Sequence, residues 1–206
     1  MMVGVKAIIT QSKIKIMIIV KNKRCSEEKL KKEYPGCIII DVTSKGDGEW
    51  QKLSPFYPHG SIPVPFSSGI MSMSVEGIWQ GLKVFENEDI DYSSFRNDTM
   101  KGIKRTCRTH GRCRGHRKGV NGDGLLEYIE ARKQIYVPSY FWMLKNKCAE
   151  QVKKIRIMSH SRPVVLLDYD TNGNIEDFSK PLSHASLIKE FIEKGCEYNE
   201  LDIRDL

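Results

Sequence analysis

Residues 74–85, Ser-Val-Glu-Gly-Ile-Trp-Gln-Gly-Leu-Lys-Val-Phe, restrict the possible folds more than any other stretch of this chain. Apolar side chains recur there at steps of three and four residues, which predicts a helix with one apolar stripe facing a core. The stripe consists of Val75, Ile78, Trp79, Leu82 and Phe85. Glu76, Gln80 and Lys83 project together beside this stripe, because they are separated by four and three residues.

Two glycines on the same helix, Gly77 and Gly81, are unusual for a helix built only for packing. Each costs a helix interior about 1 kcal/mol relative to Ala. One turn apart, they leave a smooth face that another backbone or a flat ligand can approach closely. Ser74 is suited to cap the start of the helix. A plainer interpretation of the polar face stays open, because Glu, Gln and Lys on one side of a helix are usually solvated.

The length of 206 residues and the hydrophobic content of 40% suit a single domain with a sizeable core. No apolar run approaches the length of a membrane span, so we expect no membrane partner. The apolar N-terminus is interrupted by lysines and lacks a small-residue cleavage site, which argues against a signal peptide. Met17 opens a run of strong β-formers, so residues 1–16 are a possible N-terminal extension and residues 17–206 the expected domain.

Six cysteines are scattered through the chain without the pattern of a disulfide framework. This favours reduced thiols and a cytoplasmic location. The formal charge of +7 and the isoelectric point near 9.0 favour anionic partners.

The other hydrophobic patterns predict a strand–helix–strand opening and a helical second half. The predicted strands cover residues 14–20, 37–42 and 163–169, and the predicted helices cover 25–34, 125–135, 140–152 and 183–194. Pro138 is expected to interrupt the helical region, since a proline disfavours helix at the residue before it. Gly195 is expected to end the last helix.

A segment rich in proline and aromatic residues, 50–65, precedes the key helix. Proline donates no N–H to a ladder, so this segment is an edge strand or a structured loop. It contains Ser54, Phe56 and Tyr57. Rings on a loop fixed by prolines are suited to stack a flat base, although Phe56 and Tyr57 are equally suited to cover the core.

The most basic segment, 101–118, contains Arg105, Arg108 and Arg112. Guanidinium groups match phosphate oxygens, so the segment indicates contact with phosphate or nucleic acid. A merely solvated loop is the alternative.

Four potential metal ligands recur in this basic segment at three-residue steps. They are Cys107, His110, Cys113 and His116. Structural zinc sites usually combine two close ligands with two distant ones, and the neighbouring arginines add positive charge here. We therefore predict no metal and no cofactor.

Two carboxylates, Asp168 and Asp170, lie at the C-terminal end of the last predicted strand. Loops after strands commonly carry binding or catalytic residues, so Asp168 is a candidate ligand contact. Asp170 is at least as well suited to cap the turn that follows, Thr-Asn-Gly-Asn.

The order of the proline-rich loop and the polar helix resembles the NADAR superfamily of YbiA-like proteins. That family has a Ser-Asn-Phe-Tyr-Pro-type loop, a short hairpin and then a Ser-Val-Glu-x-x-x-Gln-x-x-Lys-Phe-type helix. Here Ser-Pro-Phe-Tyr-Pro, residues 54–58, precedes the helix, and Glu76, Gln80 and Lys83 keep the family's order and spacing. The resemblance is clear over residues 50–86.

Several departures from the family pattern indicate a divergent branch. Pro55 replaces a usual Asn, and Gly77 replaces a usual His. Phe85 follows Lys83 only after one further residue. The sequence lacks the family's late Asp-x-x-Trp-Gly element, and residues 168–173 only loosely take its place.

The resemblance implies an α+β fold, a helix-rich single domain with a small mixed or antiparallel sheet. It also implies N-glycosidase chemistry on ribose-linked substrates such as ADP-ribosylated guanine in nucleic acid. Glu76 and Lys83 are then the expected catalytic residues. Glu76 can transfer a proton or stabilise an oxocarbenium ion. Lys83 can form a Schiff base if its amine is neutral, a state that the nearby Glu76 opposes.

The other expected site residues bind the substrate. Gln80 is expected to hold sugar hydroxyls. The expected base-stacking rings are those of Phe56, Tyr57 and Trp79, the expected pyrophosphate contacts are Arg105, Arg108 and Arg112, and Ser54 and Asp168 complete the set.

Two alternatives to this activity remain open. In the first, the chain binds ADP-ribose or nucleic acid without catalysis, and the basic segment is its main binding surface. In the second, it hydrolyses phosphoribosyl intermediates of riboflavin metabolism. The expected partner is an ADP-ribosylated base or nucleotide, with nucleic acid as a further candidate.

Overall fold

A computed structural model describes residues 16–194 of the chain. Short helices and three small sheets surround one hydrophobic cluster, which confirms a single α+β domain in this part. Residues 1–15 of the possible N-terminal extension lie outside the described residues, and so does Gly195.

The elements are numbered in chain order. The helices are α1 (Glu27–Glu33), α2 (Val75–Gly81), α3 (Tyr92–Arg96), α4 (Cys107–His110), α5 (Tyr128–Ala131), α6 (Val137–Asn146), α7 (Ala149–Ser161) and α8 (His184–Lys194). The strands are β1 (Ile18–Asn22), β2 (Ile38–Asp41), β3 (Ile62–Pro63), β4 (Met71–Ser72), β5 (Lys83–Phe85), β6 (Cys113–Arg117), β7 (Leu125–Leu126) and β8 (Val164–Asp168). A 3₁₀ helix covers Gly48–Leu53, and a π-helical turn covers Arg132–Tyr136.

One of the two three-stranded sheets is parallel and has the order β1–β8–β2. Its central strand, β8, is an apolar run up to Asp168, as expected for a strand covered on both faces. Helix α1 connects β1 to β2, which confirms the predicted strand–helix–strand opening. The sheets β3–β4 and β5–β6–β7 are antiparallel, so the two kinds of pairing occur in separate sheets.

The predicted helix over residues 74–85 is wrong at its C-terminal end. Its start is as expected, because Ser74 Oγ accepts a hydrogen bond from the backbone N–H of Gly77 at 2.9 Å. Helix α2 ends at Gly81, and Lys83 begins strand β5. Strand β5 pairs with β6, a distant segment whose presence a local periodicity cannot reveal.

The predicted interruption of the helical region at Pro138 is also wrong. Helix α5, the π-helical turn and α6 follow one another without a gap. Pro138 donates no N–H, and the wider π-helical turn directly before α6 accommodates this missing bond. Leu125–Leu126 pairs with β6 as a strand and is not part of this helix.

The glycine face of α2 is covered by helix α3, by backbone at Gly77 and by a side-chain ring at Gly81. A Cβ added at Gly77 would lie 2.7 Å from the carbonyl oxygen of Ser94, and one added at Gly81 would lie 2.2 Å from the ring of Phe95. Both neighbours belong to α3, and the N–H of Asp91 donates to the carbonyl of Gly81 at 2.8 Å. Of the two approaches that the sequence allowed, the structure therefore shows the one by a backbone.

We expect Gly81→Ala to lower the free energy of unfolding by about 1–2 kcal/mol, measured by urea denaturation. Helix propensity favours Ala by about 1 kcal/mol, but overpacking against the buried ring of Phe95 costs more. Gly124→Ala is the control, because a Cβ there meets nothing within 4 Å. A Gly81→Ala protein as stable as the control would contradict the close contact of α2 with α3.

Candidate active site

A cavity of about 740 Å³ lies at the carboxyl edge of the parallel sheet, next to α2. Parallel sheets commonly bind ligands at this edge. The predicted site residues that line the cavity are Ser54, Phe56, Glu76, Trp79, Gln80, Lys83, Arg105 and Asp168. Tyr57, Arg108 and Arg112 do not line it. The ring of Tyr57 packs instead against His59, with a centroid distance of 4.8 Å.

The proline-rich loop is fixed from two sides. The hydroxyl of Tyr140 donates to the carbonyl of Leu53 at 2.7 Å. The carbonyl of Pro55 accepts a hydrogen bond from the backbone N–H of Glu76 at 2.8 Å, which joins the loop to α2. These bonds hold Phe56 in the cavity wall.

A chain of hydrogen bonds connects the three polar side chains singled out by the sequence. Nζ of Lys83 donates to Oε1 of Gln80 at 2.9 Å, and Nε2 of Gln80 donates to Oε1 of Glu76 at 2.7 Å. Glu76 is 7% exposed and Gln80 is 4% exposed, so the alternative of a solvated helix face is wrong. The three side chains meet although Lys83 lies on strand β5.

The cavity shifts Glu76 and Lys83 toward their uncharged forms. Burial raises the pKa of Glu76, while the hydrogen bond from Gln80 and the charges of Lys104 and Lys83 act in the opposite direction. Burial lowers the pKa of Lys83, and the opposing effect of Glu76 is smaller. Desolvation therefore outweighs the ion-pair attraction that would favour a Lys83 ammonium.

His116 lies beside Lys83 and packs against Trp79, which lines the cavity. His116 on β6 is the cross-strand partner of Lys83, and its ring centroid lies 3.8 Å from that of Trp79. Burial, followed by the charge of Lys83, lowers the pKa of His116 to about 3. The cross-strand neighbour of Lys83 is therefore a neutral imidazole.

The side chain of Arg105 binds backbone carbonyl oxygens of neighbouring segments. Its Nη atoms donate to the carbonyl oxygens of Gln80, Lys83 and Asp89 at 2.8–3.1 Å. A fourth contact joins it to the carboxylate of Glu88 at 3.3 Å. These bonds fasten the turn between α2 and β5, so the expectation that Arg105 holds a pyrophosphate does not fit the structure.

The other two predicted phosphate contacts are also misplaced. The side chains of Arg108 and Arg112 are exposed outside the cavity. Two exposed lysines, Lys45 and Lys104, line the cavity. Their ammonium groups provide the positive charge available to a ligand, a role that the sequence interpretation assigned to arginines.

Asp168 joins the end of β8 to the start of α8. Its Oδ2 accepts a hydrogen bond from Ser183 Oγ at 2.8 Å and lies 3.0 Å from Nδ1 of His184. Nε2 of His184 lies 2.9 Å from the carbonyl of Val42. Both ring nitrogens therefore face acceptors, which requires an imidazolium. Burial opposes both charges, but the attraction between Asp168 and His184 outweighs it, raising the pKa of His184 and lowering that of Asp168.

Asp170 lines the cavity beyond Asp168. The side-chain cap of the following turn comes from Asn172, whose Oδ1 accepts a hydrogen bond from the backbone N–H of Asn174 at 2.9 Å. Asn172 therefore caps this turn, a role that the sequence analysis predicted for Asp170.

Sequence reasoning missed several residues of the cavity wall. These are Lys45, Lys104, Tyr128, Arg132, Tyr136 and His184. Arg132 donates to the carbonyl oxygens of Ile175, Asp177 and Lys180 and so fixes the loop before α8. A proline within a helical pattern was the one available signal of the π-helical turn that brings Arg132 and Tyr136 to the cavity.

The evenly spaced Cys and His residues of the basic segment are dispersed. Cys107 is exposed, Nδ1 of His110 lies 2.7 Å from a carboxylate oxygen of Glu88, and His116 packs on Trp79. Among residues 16–194, no three His, Cys, Asp or Glu side chains are arranged to hold a metal ion.

Fold and site together define an α+β protein with a polar cavity bordered by aromatic rings. Residues 22–188 match the family described as a family of unknown function, DUF6939, and the chain belongs to that family. No curated protein and no solved structure matches the chain significantly. Within the described part of the chain, no helix has the length and apolar character needed to cross a membrane.

We expect His184→Gln to remove a pH-dependent part of the stability. The pKa of His184 is raised above its unfolded value of about 6.5, so its contribution is full below that pH and is lost as the pH rises through the folded pKa. Asp168 affects the stability at acidic pH. Its pKa is lowered in the folded protein, so its contribution to the free energy of unfolding is present above about pH 3.9 and is lost as the pH falls through the folded pKa.

Urea denaturation of both proteins between about pH 6 and 9 measures this difference. The stability advantage of the wild type over His184→Gln should shrink as the pH rises. His160→Gln, at an exposed position of α7, is the control and should parallel the wild type. An advantage over His184→Gln that stays constant with pH would contradict the imidazolium assignment.

Proposed function

We propose that the chain is an N-glycosidase that cleaves the ribose–base bond of an ADP-ribosylated base, with guanine in nucleic acid as the expected base. The observation that carries this proposal is the hydrogen-bond chain from Lys83 through Gln80 to Glu76 in the cavity. It joins a buried carboxyl group to a partly buried amine. The order of loop and helix, which resembles the NADAR superfamily, supports the same chemistry.

Glu76 is suited to act as the general acid. Burial raises the pKa of its carboxyl group, which therefore keeps its proton closer to neutral pH. When the glycosidic bond breaks, the base takes the bonding electron pair and Glu76 protonates it. Positive charge then develops at the anomeric carbon, and proton transfer by a positioned acid contributes about 10²–10⁴-fold to such a step.

Lys83 is suited to attack the anomeric carbon. Its pKa is lowered by burial, so a larger fraction of the amine is neutral and nucleophilic. Attack forms a carbon–nitrogen bond, and the Glu76 carboxylate, which has given its proton to the base, takes one proton from the lysine nitrogen. The sugar ring then opens by breaking its carbon–oxygen bond, the ring oxygen takes up the second proton of the nitrogen, and an imine results. Water then hydrolyses the imine and releases the sugar and the free amine.

The cavity suits a ligand of nucleotide size. Small-molecule sites have volumes of about 300–1,000 Å³, and this one has about 740 Å³. Nζ of Lys104 lies 5.5 Å from the ring centroid of Phe56, so a cation for phosphate and a ring for stacking lie together. Lys45 and Lys104 take the role in phosphate binding that the sequence interpretation gave to arginines.

We expect Lys83→Ala and Glu76→Gln each to reduce release of ADP-ribose from ADP-ribosylated DNA by about 10²-fold or more. Neither change removes a large part of the core, so both proteins should fold. Lys153→Ala, at an exposed position of α7, is the control and should keep wild-type activity. Borohydride should trap a covalent adduct on the wild type and none on Lys83→Ala.

Full release of ADP-ribose by both site variants would refute the catalytic assignment. Turnover without a trapped adduct would retain Glu76 as acid and remove the Schiff-base route. A screen that also contains pyrimidine ribosyl phosphates distinguishes the metabolic alternative, which predicts turnover of those compounds and none of the DNA substrate.

Binding of nucleic acid without catalysis is the second candidate function. Arg108, Arg112 and Arg114 are exposed on the basic segment, whose residues 102–106 line the cavity. A polyanion that enters the cavity would therefore meet additional positive charge outside it.

If this second candidate is right, Arg108→Ala combined with Arg112→Ala should weaken binding to single-stranded DNA and reduce its salt dependence. Loss of two phosphate contacts should lower the slope of log K against log salt by about 1.4. Lys83→Ala should leave both quantities unchanged. Fluorescence anisotropy at several salt concentrations measures them, and a slope unaffected by the arginine changes would rule this surface out.

A further inference from the structure

Three tyrosines come from one continuous helical segment, and their hydroxyl groups are used differently. The hydroxyl of Tyr140 donates to the carbonyl of Leu53 at 2.7 Å. The hydroxyl of Tyr128 accepts a hydrogen bond from Arg132 at 3.2 Å. The hydroxyl of Tyr136 has no hydrogen-bond partner among residues 16–194, although its side chain lines the cavity.

The ring of Tyr136 is held in place by its neighbours. It stands edge-on to Trp79 at a centroid distance of 5.5 Å and lies parallel to the ring of Tyr140 at 6.2 Å. Its position at the end of the π-helical turn sets it apart from the regular spacing of the flanking helices, and such turns occur frequently at functional sites. A tyrosine packed this firmly usually has a partner for its hydroxyl.

The surroundings of Tyr136 decide what its hydroxyl can do. Burial, with the charge of Asp168 as a smaller cause, raises the pKa of Tyr136 well above the usual value, so the phenol stays protonated. It can donate a hydrogen bond and cannot act as a base near neutral pH. A protonated phenol can donate to an acceptor of the ligand, and the oxygen atoms of a sugar are such acceptors.

We infer that Tyr136 contacts the ligand and donates a hydrogen bond to an oxygen atom of its sugar. This inference deepens the proposed function and rests on it for the class of ligand. It adds a binding residue on the side of the cavity formed by the π-helical turn, next to Trp79 of α2. Tyr136 thereby selects ligands that place an acceptor at this point.

Tyr136→Phe removes the hydroxyl and keeps the ring, so it tests this inference directly. Titration calorimetry with ribose 5-phosphate and with ADP-ribose should show affinities about 2- to 10-fold weaker than wild type, the value of one neutral hydrogen bond. The melting temperature should stay within about 1 °C, because no internal bond is lost. Tyr140→Phe is the control, and its melting temperature should fall by about 2–4 °C or more, since the bond to Leu53 is lost.

Equal affinities of Tyr136→Phe and wild type for both probes would overturn the inference. A fall in melting temperature as large as that of Tyr140→Phe would also overturn it, because the hydroxyl would then have a structural partner. The inference would also be overturned if the wild type bound neither ribose 5-phosphate nor ADP-ribose. The proposed reaction is judged separately by the release of ADP-ribose from ADP-ribosylated DNA. Weaker binding by Tyr136→Phe together with no release of ADP-ribose by the wild type would support this contact and contradict the reaction.

Discussion

The side-chain amide of Gln80 is the contact on which the arrangement of the cavity depends. Its oxygen accepts hydrogen bonds from Nζ of Lys83 and from the backbone N–H of Arg105, and its nitrogen donates to Glu76. One amide therefore joins α2, β5 and the basic segment. Because the oxygen and the nitrogen have opposite roles, the orientation of the amide is fixed by its partners. The same orientation leaves the second carboxyl oxygen of Glu76 outside this chain of bonds.

The buried cationic side chains next to the cavity form hydrogen bonds to backbone carbonyl oxygens, so these donors are not available to a ligand. Arg105 binds carbonyl oxygens at the end of α2 and in the segment that follows it, Arg132 binds those of the loop before α8, and His184 binds the carbonyl of Val42. Each joins segments that are distant in sequence. Guanidinium groups suit this task because several donors are fixed in one plane. Lysines have a single compact charge on a flexible stem, and the cavity presents Lys45 and Lys104 from exposed positions.

The sequence predicted those features that depend on local patterns. The strands around Ile18–Asn22, Ile38–Asp41 and Val164–Asp168 were recognisable because each is a nearly continuous apolar run. The polar face of α2 was recognisable from its spacing, but its burial was not, because the covering segments come from elsewhere in the chain. The use of Arg105 was unpredictable for the same reason, since its acceptors are carbonyl oxygens that carry no mark in the sequence.

The early end of α2 gives Lys83 an environment that a longer helix could not provide. On a continuous helix Lys83 would share its face with Gln80 and Glu76 and would be desolvated only by whatever covered that face. On β5 it gains a cross-strand neighbour, the neutral His116, and the bonds of Arg105 to the carbonyls of Gln80 and Lys83 hold the turn between the two elements. Desolvation is the largest influence on the pKa of Lys83 and lowers it, so the burial of Lys83 on β5 favours the neutral amine. The tight glycine face of α2 serves the same end, because it brings α3 and the acidic turn that holds Arg105 against the helix.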